Sequence, residues 1–196
     1  MNFLAHMHLA EPTPDAIIGN VIADLIRAPD FAALPESIQA GVRTHRRIDG
    51  YTDSHPAVQT SIRRISAEWG WFSGIVIDIY YDHILATTWP TFSDESLRDF
   101  ADRMYDVLQH ATPYVDAGGR QFLTKMRETD RLVQYGTVEG ITDTLARVSE
   151  RIAVRIPKRA LPLQDAVPQL VSLRGELGED FARFYPELRA FAASLT

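Results

Sequence analysis

Apolar residues along the chain recur mostly at three- and four-residue spacing, while the strict alternation of a half-buried strand is sparse. Leu97, Phe100, Ala101, Met104 and Leu108 give the clearest stripe, a helix with one face on a core. Helix punctuation divides the rest. Thr13 and Pro14 read as an N-cap followed by proline at the first helical position, opening a helix through about Arg27 that Ala28 and Pro29 close. A second helix starts near Pro35 and runs through Ile38, Val42, His45 and Asp49, its end blurred by Gly50 and stopped before Pro56. Pro56 opens a third, reaching Trp69 and Gly70, and the most apolar stretch, residues 71–88, forms a fourth that Trp89 and Pro90 end. Ser93 reads as the N-cap of the helix containing Leu97, with further helices expected at 120–135, 138–155 and 164–184 and a short one from Phe184, Tyr185 and Pro186. Residues 156–168, with Pro157, Pro162 and Pro168, read as a connecting loop. The expectation is an all-α, single-domain helical bundle spanning residues 1–196.

Composition narrows the class. With 45% apolar and 23% charged residues and a mean hydropathy of -0.14, the chain has the balance of a globule, not of a disordered segment. Its net charge of -6 argues against a nucleic-acid partner, which calls for a basic footprint. No apolar run reaches the roughly 18 residues of a membrane span, because Asp78, Asp82 and His83 interrupt the greasiest segment. The opening residues carry His6 and His8 and lack the basic leader of a secretory signal. The absence of cysteine removes disulfide scaffolds, thiolate metal sites and thiol nucleophiles, and a reducing cytoplasm is the expected compartment.

The chemistry gathers in the first half. His6, His8, His45, His55 and His83 are interleaved with Asp24, Asp49, Asp53, Asp78 and Asp82, whereas His110 falls on a surface helix. Asp78 and Asp82 share one face of an apolar helix, where two like charges repel and burial without a partner is costly. An arginine such as Arg43, Arg46 or Arg47, a bound cation, or protonation of one acid would compensate. His45, Asp49 and Asp53 follow an i, i+4, i+8 stripe, unless Gly50 ends the helix and makes Asp53 and His55 turn or cap residues. As a third case, Asn20 and Asp24 lie on one face of the otherwise apolar helix that Pro14 opens. Imidazole and carboxylate together suit Mg, Mn, Fe or Zn. Phosphate loops, dinucleotide fingerprints and nucleophile elbows are absent, which disfavours nucleotide motors and serine hydrolases.

Several segments resemble the bacterial acyl carrier protein phosphodiesterase family. They are Met1-Asn2-Phe3-Leu4-Ala5-His6 with His8, Gly19-Asn20 with Asp24, His45-Arg46 with Ile48-Asp49, Thr52-Asp53 with His55-Pro56, Asp78 with Tyr81-Asp82-His83, and Phe184-Tyr185-Pro186. That family is similar to a noncanonical branch of the HD metal-dependent phosphohydrolases, although this chain carries Asp82-His83 in the reverse order. The resemblance implies hydrolysis of the phosphodiester joining 4'-phosphopantetheine to the serine of holo acyl carrier protein, with Mn2+ favoured and Mg2+ the alternative. It makes Asp24, His45, Asp78 and Asp82, with His6, the expected metal ligands. Asp24, Asp49 and His83 become candidate catalytic residues, Asp49 orienting His45 or acting as base on water, and Arg46 and Arg47 candidates to hold phosphate. Carrier proteins are acidic, so Arg43, Arg46, Arg47, Arg63 and Arg64 are the candidate docking patch. Two other readings stay open: a phosphohydrolase of the same type acting on a nucleotide or small phosphoester, and a non-catalytic helical binding or regulatory protein.

Overall fold

Helix ends in this chain are set by residues that satisfy otherwise orphaned backbone groups. The computed structural model describes residues 1–195, and among these it contains helices and turns but no strand. The helices are α1 (Phe3–Leu9), α2 (Pro14–Ile22), α3 (Ala28–Phe31), α4 (Glu36–Ser54), α5 (Pro56–Trp69), α6 (Ser73–Thr87), α7 (Leu97–Leu108), α8 (Ala117–Glu128), α9 (Arg131–Gln134), α10 (Val138–Arg155), α11 (Val167–Ser172) and α12 (Arg174–Ala193). The all-α expectation holds.

Local caps account for many boundaries. Thr13 accepts from the Ala16 N–H at the start of α2, and Ser96, not Ser93, accepts from Asp99 at the start of α7. Gly50 does not end α4, which continues to Ser54; His55 then accepts the Ala57 N–H and caps α5. Asp130, in the left-handed region at φ 48°, splits the expected helix at 120–135 into α8 and α9. Pro186 lies inside α12 instead of starting a new helix; the burial of Phe181, Phe184, Tyr185 and Leu188 around it outweighs its missing donor. Residues 156–168 contain two 3-10 turns, and Leu163 and Ala166 are buried there.

The least anticipated element is α1. Asn2 accepts the Phe3 N–H, and the Asp82 carboxylate on α6 accepts those of Leu4 and Ala5 at 2.8 and 3.3 Å. A helix of seven residues is marginal by itself. Here Leu4, Ala5 and Met7 are buried against α2, α6 and α12, and its position comes from that packing. Helix α6 is buried on nearly every side, touching α1, α5, α10 and α12. One continuous apolar cluster runs from Met1 to Ala192.

Helices α2 and α4 approach closely through facing glycines. A Cβ on Gly41 would sit 2.6 Å from the Ala16 carbonyl oxygen and 2.9 Å from Gly19 Cα, and one on Gly19 would collide with the Ile38 carbonyl. This contact fixes α4 relative to α2 and so brings His45 and Asp49 beside Asn20 and Asp24. Gly41→Ala is expected to cost roughly 1–3 kcal/mol through overpacking, lowering Tm by about 2–4 °C per kcal/mol at this size. A Cβ added at Gly50 would meet nothing within 4 Å, so Gly50→Ala should act oppositely and stabilise α4 by about 0.5–1 kcal/mol. Thermal unfolding of the two variants checks the pair; equal shifts of the same sign would contradict this packing.

Candidate metal centre

Four helices deliver polar side chains to one point. His6 comes from α1, Asn20 from α2, His45 and Asp49 from successive turns of α4, and Asp78 from α6; Asp24 follows the end of α2. His6 Nε2 lies 3.0 Å from Asp49 Oδ1, and His45 Nε2 lies 3.0 Å from Asp49 Oδ2 and 3.3 Å from Asp24 Oδ1. The two imidazoles stack with centroids 3.9 Å apart. His6 Nδ1 faces Asn20 Oδ1 at 3.4 Å. The N-terminal ammonium of Met1 lies 3.1 Å from Asp78 and 3.7 Å from Asp49.

Burial sharpens the electrostatics. His6 and His45 are buried, Asp49 is partly open and Asp24 is exposed, so the cluster has a dry inner wall and a wet edge. Desolvation opposes charge on His45, but hydrogen bonds to Asp24 and Asp49 outweigh it and raise its pKa to about 9. His6 goes the other way, to about 4, because desolvation and the neighbouring His45 charge prevail over its bond to Asp49. Burial would raise the Asp49 carboxyl, yet the bonds to His45 and His6 hold it well below the usual carboxylate range. Asp24 is lowered as well, the His45 bond overcoming desolvation. Desolvation raises Asp78 despite the adjacent ammonium, whose own pKa rises to about 10 because Asp78 and Asp49 offset its burial.

The donor set fits a divalent cation. His6, His45 and Asp49 each offer a ligand atom, and these lie within 4.8 Å of one another. His45 Nδ1 is buried without a hydrogen-bond partner, and Asp24 adds a second carboxylate on the solvent side. A cleft of about 440 Å³ reaches the cluster through Asp24, Asp78 and Met1.

A family model described as acyl carrier protein phosphodiesterase matches residues 1–188, nearly the whole chain including every residue of this centre. The chain belongs to that family. Similar proteins named acyl carrier protein phosphodiesterase occur in Pectobacterium atrosepticum, 30% identical over 98% of this chain and 97% of the relative, and in Yersinia pestis, 30% identical over 96% and 95%. One from Shigella boydii is 31% identical over 98% of both chains. No solved structure matches.

Within this acyl carrier protein phosphodiesterase family member, the structure gathers His6, Asp24, His45 and Asp49, and joins Asp78 to them through the Met1 ammonium. Asp82 lies one turn beyond Asp78, fully buried at the head of α1; desolvation pushes its carboxyl up to about 7 against the opposing pull of the Leu4 N–H. His83 Nδ1–H donates to the Tyr135 carbonyl at 2.7 Å and makes no contact with the four gathered residues. Arg46 lies over the Phe31 ring and Arg47 over Phe191, and neither lines the cleft. His8 bonds to Tyr185 and packs on Trp89, and Asp53 is exposed at the end of α4. Of the proposed docking arginines, Arg43 is paired with Glu36 and Arg64 with Asp180.

Sequence reasoning did not single out the Met1 ammonium or the cleft-lining arginines of α10, Arg151 and Arg155. The second had a signal, the i, i+4, i+8 spacing of Arg147, Arg151 and Arg155.

The capping role of Asp82 predicts a stability effect. Asp82→Ala leaves two buried helix N–H groups without acceptors and should cost about 2–4 kcal/mol, while Asp82→Asn, which keeps an acceptor oxygen, should cost less. Urea denaturation measures both; an unchanged midpoint in the alanine variant would contradict the role.

Proposed function

We propose that this protein is a metal-dependent phosphodiesterase that hydrolyses the bond between 4'-phosphopantetheine and the serine of holo acyl carrier protein, releasing apo carrier protein, in the cytoplasm. The observation that carries the reading is the convergence of His6, His45, Asp49 and Asp24 beside a cleft that Asp24 lines, in a chain of the acyl carrier protein phosphodiesterase family. Histidine and aspartate on packed helices are also the donor chemistry expected of an HD-like phosphohydrolase.

His6, His45, Asp49 and Asp24 would hold Mn2+, or Mg2+ in its place. A divalent ion bound there neutralises phosphoryl oxygens and makes water nucleophilic near neutral pH. Without an ion, Asp49 holds both imidazoles in place, one carboxylate oxygen to the Nε2 of each ring, and these are the contacts that an ion would replace. Asp24, ionised at neutral pH and exposed to the cleft, accepts the proton of the attacking water on a carboxylate oxygen. Water adds to phosphorus, the bond from phosphorus to the serine oxygen breaks, and Asp24 returns the proton to that oxygen as it leaves. Arg46 and Arg47, which have no acidic partner among the described residues, are the arginines of α4 available to an acidic carrier surface.

Intact mass spectrometry tests the reaction. Holo carrier incubated with the protein and Mn2+ should convert to the apo mass, with no conversion under EDTA and a rate about a hundredfold or more lower for His45→Ala and Asp49→Ala. Holo carrier that persists with folded protein under every divalent ion, alongside hydrolysis of nucleotides or small phosphoesters, would move the function to those substrates.

The raised His45 pKa generates a second expectation. At pH 7 the metal-free ring is protonated, so an ion must displace that proton, and affinity rises with pH. Mn2+ binding at pH 7 should release about one proton, seen as a heat that varies with buffer ionisation enthalpy, and affinity should gain about tenfold per pH unit until pH approaches about 9. Buffer-independent heats with pH-independent affinity would remove His45 from the ligand set.

A further inference from the structure

We propose that the cleft beside the centre is a two-part site for a phosphodiester bearing a long, largely uncharged arm, with Arg151 and Arg155 holding the phosphate and Trp71, Ile75 and Ile156 carrying the arm. The proposal rests on the phosphopantetheine reading above and adds the residues that recognise that substrate class.

Three features of the molecule meet in this cleft. The first is exposed apolar surface. Trp71 is 68% exposed, Ile75 40% and Ile156 38%, and these are three of the six large apolar side chains left exposed among the described residues. All three line this one cleft. Such clustering marks a binding surface, whereas scattered single exposures need no explanation. The second is unpaired positive charge. Arg151 and Arg155, one turn apart on α10, line the same cleft, and neither has an ion pair among the described residues. Other arginines near acids are paired: Arg43 with Glu36, Arg103 with Glu95, and Arg147, on the same face of α10, with Asp143. Two free guanidinium groups one turn apart in the lining of a single cleft suit an anionic ligand.

The third feature is placement. The same cleft is lined by Asp24, which lies 3.3 Å from His45 Nε2, and by Asp78. A phosphate there lies in one cleft with Asp24 and Asp78 and with the α10 arginines. The arginines offset the repulsion that those carboxylates exert on a phosphodiester. Arg151 is also positioned in advance. Its guanidinium lies 5.8 Å from the Phe122 ring centroid, and buried Arg131 lies 5.1 Å from the same ring. Arg159 lies over the Trp71 ring at 5.0 Å. The cleft thus has the composition of a cofactor site: apolar walls and a few convergent polar groups.

Calorimetric binding of three probes to the intact protein, at one fixed Mn2+ concentration, tests the assignment. The probes are 4'-phosphopantetheine, pantetheine and inorganic phosphate. Changing both arginines, Arg151→Ala with Arg155→Ala, should weaken 4'-phosphopantetheine about tenfold or more and leave pantetheine unchanged. Trp71→Ala should weaken 4'-phosphopantetheine and pantetheine and leave phosphate unchanged. Equal affinity for 4'-phosphopantetheine in the wild type and the double arginine variant overturns the proposal, as does no binding by the wild type, or a loss produced by Arg46→Ala and Arg47→Ala instead. Holo carrier conversion by the wild type separates the cleft assignment from the reaction. Conversion with arginine-independent binding defeats the cleft assignment and leaves the reaction standing. Arginine-dependent binding without conversion defeats the reaction and leaves the cleft assignment standing.

Discussion

The buried carboxylate of Asp82 determines where the rest of the centre is built. By accepting the Leu4 and Ala5 N–H groups it docks the first turn of α1 on α6, and that docking carries His6 to within 3.0 Å of Asp49. A short helix at a chain end has little stability of its own. Its tertiary cap supplies the acceptors that local sequence lacks, while Leu4, Ala5 and Met7 supply the buried surface. The close approach of Gly19 and Gly41 does the corresponding work for α2 and α4. With both contacts in place, side chains from opposite parts of the sequence meet at one point.

That meeting point is held by a balance of charge. Three carboxylates, Asp24, Asp49 and Asp78, face two imidazoles and one ammonium, and only one imidazole, His45, favours its proton at neutral pH. Asp49 is the pivot because each of its oxygens is committed to a different ring. A set in which desolvation acts against every charge, yet the carboxylates next to His45 stay ionised, is poised to exchange a proton for a cation. Asp82 stands apart from this exchange because backbone donors already occupy both of its oxygens.

The sequence is legible where the physics is local. Thr13 and Pro14 mark the start of α2, Pro56 that of α5, and the stripe from Leu97 to Leu108 shows α7, because caps and periodicity act within a few residues. Helix α1 and the passage of α12 through Pro186 depend on partners far along the chain, so neither has a local signature. The centre divides in the same way. His45 and Asp49 declare their shared face by spacing, whereas equal spacing of Asp78 and Asp82 conceals different surroundings, one beside the Met1 ammonium and the other under α1. Arg151 and Arg155 are written as a regular stripe that looks like any solvated helix face; only the packing of α10 against α6 puts that stripe over a cleft.

The charges lining that cleft bear on the substrate class proposed for it. A chain of net charge -6 with acids around its centre would repel phosphate and an acidic protein alike if its charge were spread evenly. Charge is instead segregated. Carboxylates converge where two imidazoles and an ammonium offset them, and guanidinium groups remain free on α10 and on the outer face of α4. At these separations local arrangement outweighs net charge, because Coulomb energy falls with distance and screening removes contributions beyond about 10 Å. The apolar surface of Trp71, Ile75 and Ile156 lines the same cleft as Asp24, so a ligand arm laid across it would displace water from beside Asp24. On the proposed assignment, excluding that water strengthens the charge–charge contacts in the cleft, so that one cleft would couple recognition of an uncharged arm to the handling of a charged phosphate.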